Sequence, residues 1–346
     1  MKITKRVGSL LAGVTLAAMA SSNALAADFT LKFHHFLSPK SAAHQEMILP
    51  WAERIEKGTN GRVKIDVYPA MSLGGKPPQL PRQLRDGVVD LAWFVNGYAG
   101  GLYPRTEVFE LPGVHRGDSS ATNRAMLEMY EEFLAPEYKG VVPLTLHVHG
   151  GNALHMVDKE IHSPSDLEGM KIRIPSRTGA WVLESLGAAP VKTSVPELPL
   201  ALSKKVVDGA LIPFEIIPPL KIQEQTQYQI EGPKSQRFGT TTFQIGMNKQ
   251  VWDSLPADIQ KVFRDNSGME WHDEIGKNWD KGEMIGLAVA TKAGNKHIQL
   301  TDAEWAEFET AMKPVVERWI AEVSEKGIDG RKLYDTAVAT VQKYMK

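Results

Sequence analysis

The chain carries 346 residues, 40 Lys and Arg against 41 Asp and Glu, and no cysteine. The two signs of charge are interspersed, so no concentrated basic face is available and nucleic acid is excluded as an expected partner. Without cysteine, disulfides, thiolate metal sites and cysteine nucleophiles are excluded together, and stability must come from a packed core.

Lys2, Lys5 and Arg6 precede an apolar stretch from Val7 to Met19, and Ala24-Leu25-Ala26 then fits an A-x-A cleavage pattern. Residues 1–26 read as a signal peptide. The apolar run holds about 13 residues where a membrane span needs roughly 20, so no membrane-spanning segment is expected. Cleavage would remove three cations and no acid, taking the formal charge from −1 to −4.

Thr30 to Phe36 reads as a strand, followed by a helical pattern through Met47, Ile48, Trp51, Ala52 and Ile55. Val63, Ile65 and Val67 alternate with polar neighbours as a half-buried strand would. A short helix at Gln79 to Arg85 leads through Gly87 into Val88 to Val95, a strand buried on both faces. This βα alternation predicts an α/β domain with a mainly parallel sheet. Val141 to Val148, Lys171 to Pro175 and the end of Val206 to Pro213 read as further strands, with entry to a second lobe near Gly150 and Gly151. Thr240 to Met247 is a returning strand, and a long helical segment opens at Leu255-Pro256. In the tail, Thr301 and Glu304 form a capping box before the apolar series Trp305, Phe308, Met312, Val316, Trp319 and Val323. Pro314 is expected to bend or divide that helix.

Neither a G-x-S-x-G elbow nor a phosphate-cradling glycine motif occurs. The cluster Asn96-Gly97-Tyr98-Ala99-Gly100-Gly101 reads as a turn, but its place after a buried strand makes Asn96 a candidate at a ligand cleft. His147 and His149 would share one strand face and, with a third ligand, could hold zinc; hydrogen-bonded imidazoles are the plainer reading. Arg173 lies in a strand between Ile172 and Ile174, which leaves a guanidinium in a stretch otherwise suited to burial. A buried Arg demands an anion, either a carboxylate of the chain or one that arrives from outside.

The runs GRVKIDVYPAMSLGG, RDGVVDLAWF, DLEGMKIRIP, LGAAPV, VVDGALIP and MNKQVWDSLPADIQ, in this order, resemble the solute-binding subunits of tripartite ATP-independent periplasmic (TRAP) transporters. The resemblance implies a two-lobed α/β periplasmic binding protein with hinge strands and a long C-terminal helical segment. It implies no enzyme activity and no cofactor or metal; the expected partners are a small organic acid and the TRAP membrane subunits. The expected division is residues 27–150 plus 242–300 for lobe I, 151–241 for lobe II, and 301–346 as helices packing across both.

In such proteins the arginine of the K-x-R-x-P strand grips the ligand carboxylate, and that position here is Arg173. Two departures narrow the ligand. A second arginine common after the hinge glycine is replaced by Asn152-Ala153, and the usual acid and asparagine before Pro213 by Leu211 and Ile212. A polyhydroxylated ligand would leave donors unpaired there, each at about 1–3 kcal/mol. The expected ligand is therefore a monocarboxylate with an apolar or aromatic body; a dicarboxylate, a sugar acid and an exported metal-dependent hydrolase are the alternatives. Candidate wall residues are Phe36, Trp93, Phe214, Phe243 and Trp181, with Asn152 and Asn96 as polar contacts.

Overall fold

A computed structural model describes residues 27–345, so the predicted leader lies outside the described residues. In chain order the strands are β1 (Phe29–His35), β2 (Val63–Tyr68), β3 (Leu91–Val95), β4 (Val141–Val148), β5 (Ala153–Met156), β6 (Lys171–Ile174), β7 (Ala189–Lys192), β8 (Gly209–Ile212), β9 (Tyr228–Glu231), β10 (Thr242–Asn248) and β11 (Lys296–Gln299). They form two sheets, ordered β2-β1-β3-β10-β4 and β11-β9-β5-β8-β6-β7. Helices cover both, which gives two α/β lobes.

Four of the five parallel pairs among the described residues are joined by helical crossovers: β1 with β2 and β3, and β6 with β7 and β8. Each sheet also holds one antiparallel strand between others, β10 in the first and β5 in the second. Those two strands flank the lobe crossings, since β4 passes to β5 through Gly150-Gly151 and β9 returns to β10 through residues 232–241. Gly151 has φ +97°, and a Cβ there would stand 2.3 Å from Cγ of Arg237, so both backbone and space require glycine at this crossing. The third crossing is the helix Met269–Lys292, which packs on the helix Ser119–Glu128 of the first lobe and on the 214–220 segment of the second.

Two expectations need correction and a third is narrowed. The strand predicted from Val88 begins at Leu91: Gly87 (φ +73°) turns the chain and Val88 is left exposed, its N–H closing the preceding helix on Gln83 O. Residues 296–299, assigned with lobe I, form β11, which runs parallel to β9 at the edge of the second sheet. Of the bend or division expected at Pro314, division does not occur, the tail helix being continuous from Asp302 to Ser324. Burial of Trp305, Phe308, Met312, Trp319 and Val323, each contributing about 1.5–3 kcal/mol, outweighs the roughly 3 kcal/mol that an interior proline costs. The Thr301 capping box forms as expected, with Thr301 N–H and Glu304 N–H each meeting the other side chain. After it, the helix Gly330–Tyr344 packs on the helix Ser119–Glu128.

Candidate ligand-binding site

Between the lobes lies a narrow cleft with about 410 Å³ of empty space. Its floor on the first lobe comes from strand ends: Phe36 and Leu37 after β1, Trp93 and Val95 on β3, and Phe243 on β10. Strand alternation sends Trp93 into the cleft and Phe94 into the core behind it. The rings of Phe36 and Trp93 stack at 4.9 Å and 3°, and those of Trp93 and Phe243 at 5.2 Å and 5°. Trp279, from the helix that crosses between lobes, adds another near-parallel plane. The result is a slot with flat aromatic walls, a shape that selects planar apolar bodies.

Arg173 enters from β6 of the second lobe and is 2% exposed. Nε donates to Thr193 O at 3.0 Å and Nη1 to Leu211 O at 3.2 Å, while Nη2 has only a long 3.5 Å contact with the Tyr98 hydroxyl. Among the described residues no Asp or Glu pairs with it, and burial pulls its pKa below the ordinary value, with Tyr98 opposing. An arginine stays cationic all the same, so a buried charge here awaits its counter-ion. The contrast is Arg237, also buried, which meets Glu231 and, at 3.3 Å, Glu283. Arg237 faces a larger open trough of about 1610 Å³ on the other side of the Met269–Lys292 helix; its charge is already balanced there.

The histidines are not a metal centre. His147 receives an indole N–H at each ring nitrogen, from Trp93 on Nε2 at 2.8 Å and from Trp279 on Nδ1 at 3.2 Å, and Nδ1 also lies 3.1 Å from Val148 O. Burial keeps this ring neutral by pushing its pKa down to about 3. His149, which lines the cleft, takes the Gly151 N–H on Nδ1 and is held well below 6.5 by burial and then by His115 and His147. No three ligating side chains come together among the described residues.

Of the residues singled out in the sequence, Arg173, Phe36, Trp93, Asn152 and Phe243 meet in the cleft. Phe214 does not. The glycines Gly282 and Gly286 let the crossing helix approach so closely that a Cβ at Gly286 would lie 1.9 Å from Phe214 O, and in this turn Pro213, Glu215 and Ile216 face the cleft. Phe214 points the other way, beneath Arg237 at 5.1 Å and edge-on to His155. Trp181 is sandwiched between Arg177 and Arg318 at 4.9 and 4.5 Å, packing its helix on the tail helix. Asn96 is consumed inside the first lobe by Gln244 and Thr242. Tyr98, Trp279, Thr241 and Glu215 line the cleft without having been singled out; Tyr98 lay within the glycine cluster, whereas Trp279 gave no local signal.

Across the cleft the lobes touch. Arg177 forks onto Glu107, Thr178 donates to Glu110 at 2.5 Å, and the Tyr98 hydroxyl accepts the Val195 N–H at 3.0 Å. Gly97 lies so near Ser176 that a Cβ on it would stand 2.6 Å from the serine Cβ.

The profile of the bacterial extracellular solute-binding protein family 7 matches residues 33–322. A marine metagenome TRAP solute-binding protein, described as specific for aromatic acid ligands and solved with 3-hydroxybenzoate, is 38% identical over 92% of this chain and 99% of its own, with a TM-score of 0.88. One from Rhodoferax ferrireducens with copurified benzoate is 38% identical, covering 91% and 98%, also with a TM-score of 0.88. The C4-dicarboxylate-binding periplasmic protein of Rhodobacter capsulatus is 28% identical over 90% of this chain and 93% of its own.

Proposed function

This chain belongs to the bacterial extracellular solute-binding proteins of family 7, the periplasmic TRAP binding proteins, and is not an enzyme; on that premise we propose that it captures an aromatic monocarboxylate and delivers it to TRAP membrane subunits. The observation that carries this reading is Arg173, a buried guanidinium without an acid partner among the described residues, facing a slot walled by Phe36, Trp93, Phe243 and Trp279. A ligand carboxylate would supply the missing charge, and the fork Nη1/Nη2 suits it bidentately. The aromatic body would exchange water for ring faces, and contact between the lobes would then seal both halves of the interaction from solvent.

A second carboxylate would be stranded, because Arg173 is the only arginine or lysine among the described residues lining the cleft and His149 is neutral. That separates this chain from the dicarboxylate-binding relative. The two relatives at 38% identity bind 3-hydroxybenzoate and benzoate, which supports the same ligand class.

The test is a thermal-shift screen of protein unfolded and refolded to remove carried-over ligand. A ligand at 100 times its Kd stabilises the fold by about 2.7 kcal/mol. Benzoate-like acids are expected to raise Tm, and succinate and glucuronate to leave it unchanged. A Tm raised by succinate or glucuronate and not by aromatic acids would overturn the proposal.

A further inference from the structure

Glu215 sits in the cleft wall with its carboxyl buried and Oε2 without a partner among the described residues. Its position is fixed from behind. Its backbone N–H donates to Glu283 Oε1 at 3.0 Å, Glu283 is itself held by Arg237, and the absence of a side chain at Gly282 leaves room for the Glu215 Cβ. Two further cleft-lining groups are equally unpartnered, Asn152 Oδ1 and Thr241 Oγ1. None of the three is engaged by Arg173, whose contacts are Thr193, Leu211 and Tyr98.

A buried polar group left without a partner is destabilising, so three such groups in an otherwise aromatic slot call for a ligand that brings its own polar substituent. Bare benzoate brings none beyond the carboxylate that Arg173 would take. A hydroxyl can donate to one acceptor and accept from the Thr241 hydroxyl at once. A second carboxylate would not serve, since it donates nothing when ionised and Arg173 is the only arginine or lysine among the described residues lining the cleft.

We propose that Glu215, with Asn152 and Thr241, forms a second polar subsite that recognises a hydroxyl group on the ring of the bound acid. The inference rests on the aromatic-monocarboxylate reading above and narrows it to hydroxyl-substituted aromatic acids. The side chain can act as acceptor and donor: burial, and then Glu283, hold its carboxyl well above the usual carboxylate range.

Isothermal titration of the refolded protein with benzoate, the three hydroxybenzoates and the three methoxybenzoates tests it. The wild type is expected to bind at least one hydroxybenzoate about tenfold or more tightly than benzoate or the matching methoxy acid, as one satisfied buried hydrogen bond of about 1.4 kcal/mol requires. Glu215→Leu should reduce that preference to within about twofold, as expected for loss of the hydrogen bond. Glu215→Gln, which keeps both a donor and an acceptor, should retain the preference, and circular dichroism with a thermal melt serves as the folding control in each variant. Equal affinity of the wild type for benzoate and every hydroxybenzoate, or equal losses for both ligands in Glu215→Leu, would overturn the subsite while leaving the aromatic-acid reading standing. If no aromatic acid binds the wild type, it is that broader reading which fails, and the subsite with it.

Discussion

Gly97→Ala places one methyl group where the two lobes meet. Residue 97 belongs to the first lobe and Ser176 to the second, and the added Cβ would stand 2.6 Å from Ser176 Cβ and 3.2 Å from Ser176 Cα. Carbon atoms pack at about 3.5–4.0 Å, so full apposition would be blocked by roughly 1 Å. Neither neighbouring atom can rotate away, because Ser176 caps the helix Arg177–Ser185 by accepting the Gly179 N–H. Overpacking of this kind costs about 1–3 kcal/mol, which corresponds to a Kd for benzoate raised about 5- to 150-fold. The clash exists only when the lobes touch, so the Tm of ligand-free protein whose lobes stand apart should stay within about 1 °C of wild type, less than the roughly 1.5 °C by which a 1 kcal/mol defect moves a chain of this length. Titration calorimetry reads the first quantity and a thermal melt the second. An unchanged Kd, or a ligand-free Tm that falls in proportion to the lost affinity, would refute the idea that binding requires the lobes to close on this contact.

Other consequences follow from named contacts. Arg177→Ala removes the fork that joins the lobes at Glu107 and should weaken binding by about 5- to 20-fold, a charge-assisted pair discounted for its partial exposure, with a larger radius of gyration in the presence of ligand by small-angle scattering. Gly286→Ala would drive a methyl into Phe214 O at 1.9 Å; a loss of about 3 kcal/mol or more in urea unfolding is expected, and wild-type stability would contradict the close helix packing. The buried histidines make the fold acid-sensitive. Burial holds His147 and His155 at about 3, below the unfolded 6.5, so the unfolded chain binds protons more readily and stability falls as pH drops below 6.5 toward 3. At pH 5 each contributes a loss of about 2 kcal/mol, the 1.5 units below 6.5 at 1.36 kcal/mol each; equal urea midpoints at pH 7.5 and pH 5 would contradict the neutral assignment.

Periodicity and capping were legible because they are local. The Val141–Val148 strand, the Thr301 box and the crossing at Gly150-Gly151 can each be read from a few neighbouring residues. Arg173 was legible for a related reason: a guanidinium between isoleucines on a short strand is a local anomaly. What failed depends on which way a turn faces. Phe214 follows the cleft-lining Pro213, yet the close approach of the crossing helix at Gly286, over 70 residues later, rotates it to the Arg237 side. Trp279 joins the cleft from that same helix by tertiary packing alone, and β11 joins the second sheet because its partner strand lies some 70 residues earlier. The orphaned Oε2 of Glu215 could not be seen at all without knowing every neighbour.

The central claim is that the charge of Arg173 is balanced by an acid from outside. Calorimetric affinities for benzoate and its neutral isostere benzamide, in wild type and in Arg173→Met, measure this directly. Wild type is expected to prefer benzoate about 100-fold or more, in line with the roughly 3 kcal/mol or more at stake in a buried charge pair, and the variant to remain folded with the preference gone. Benzoate binding of undiminished strength by a folded Arg173→Met protein would contradict it.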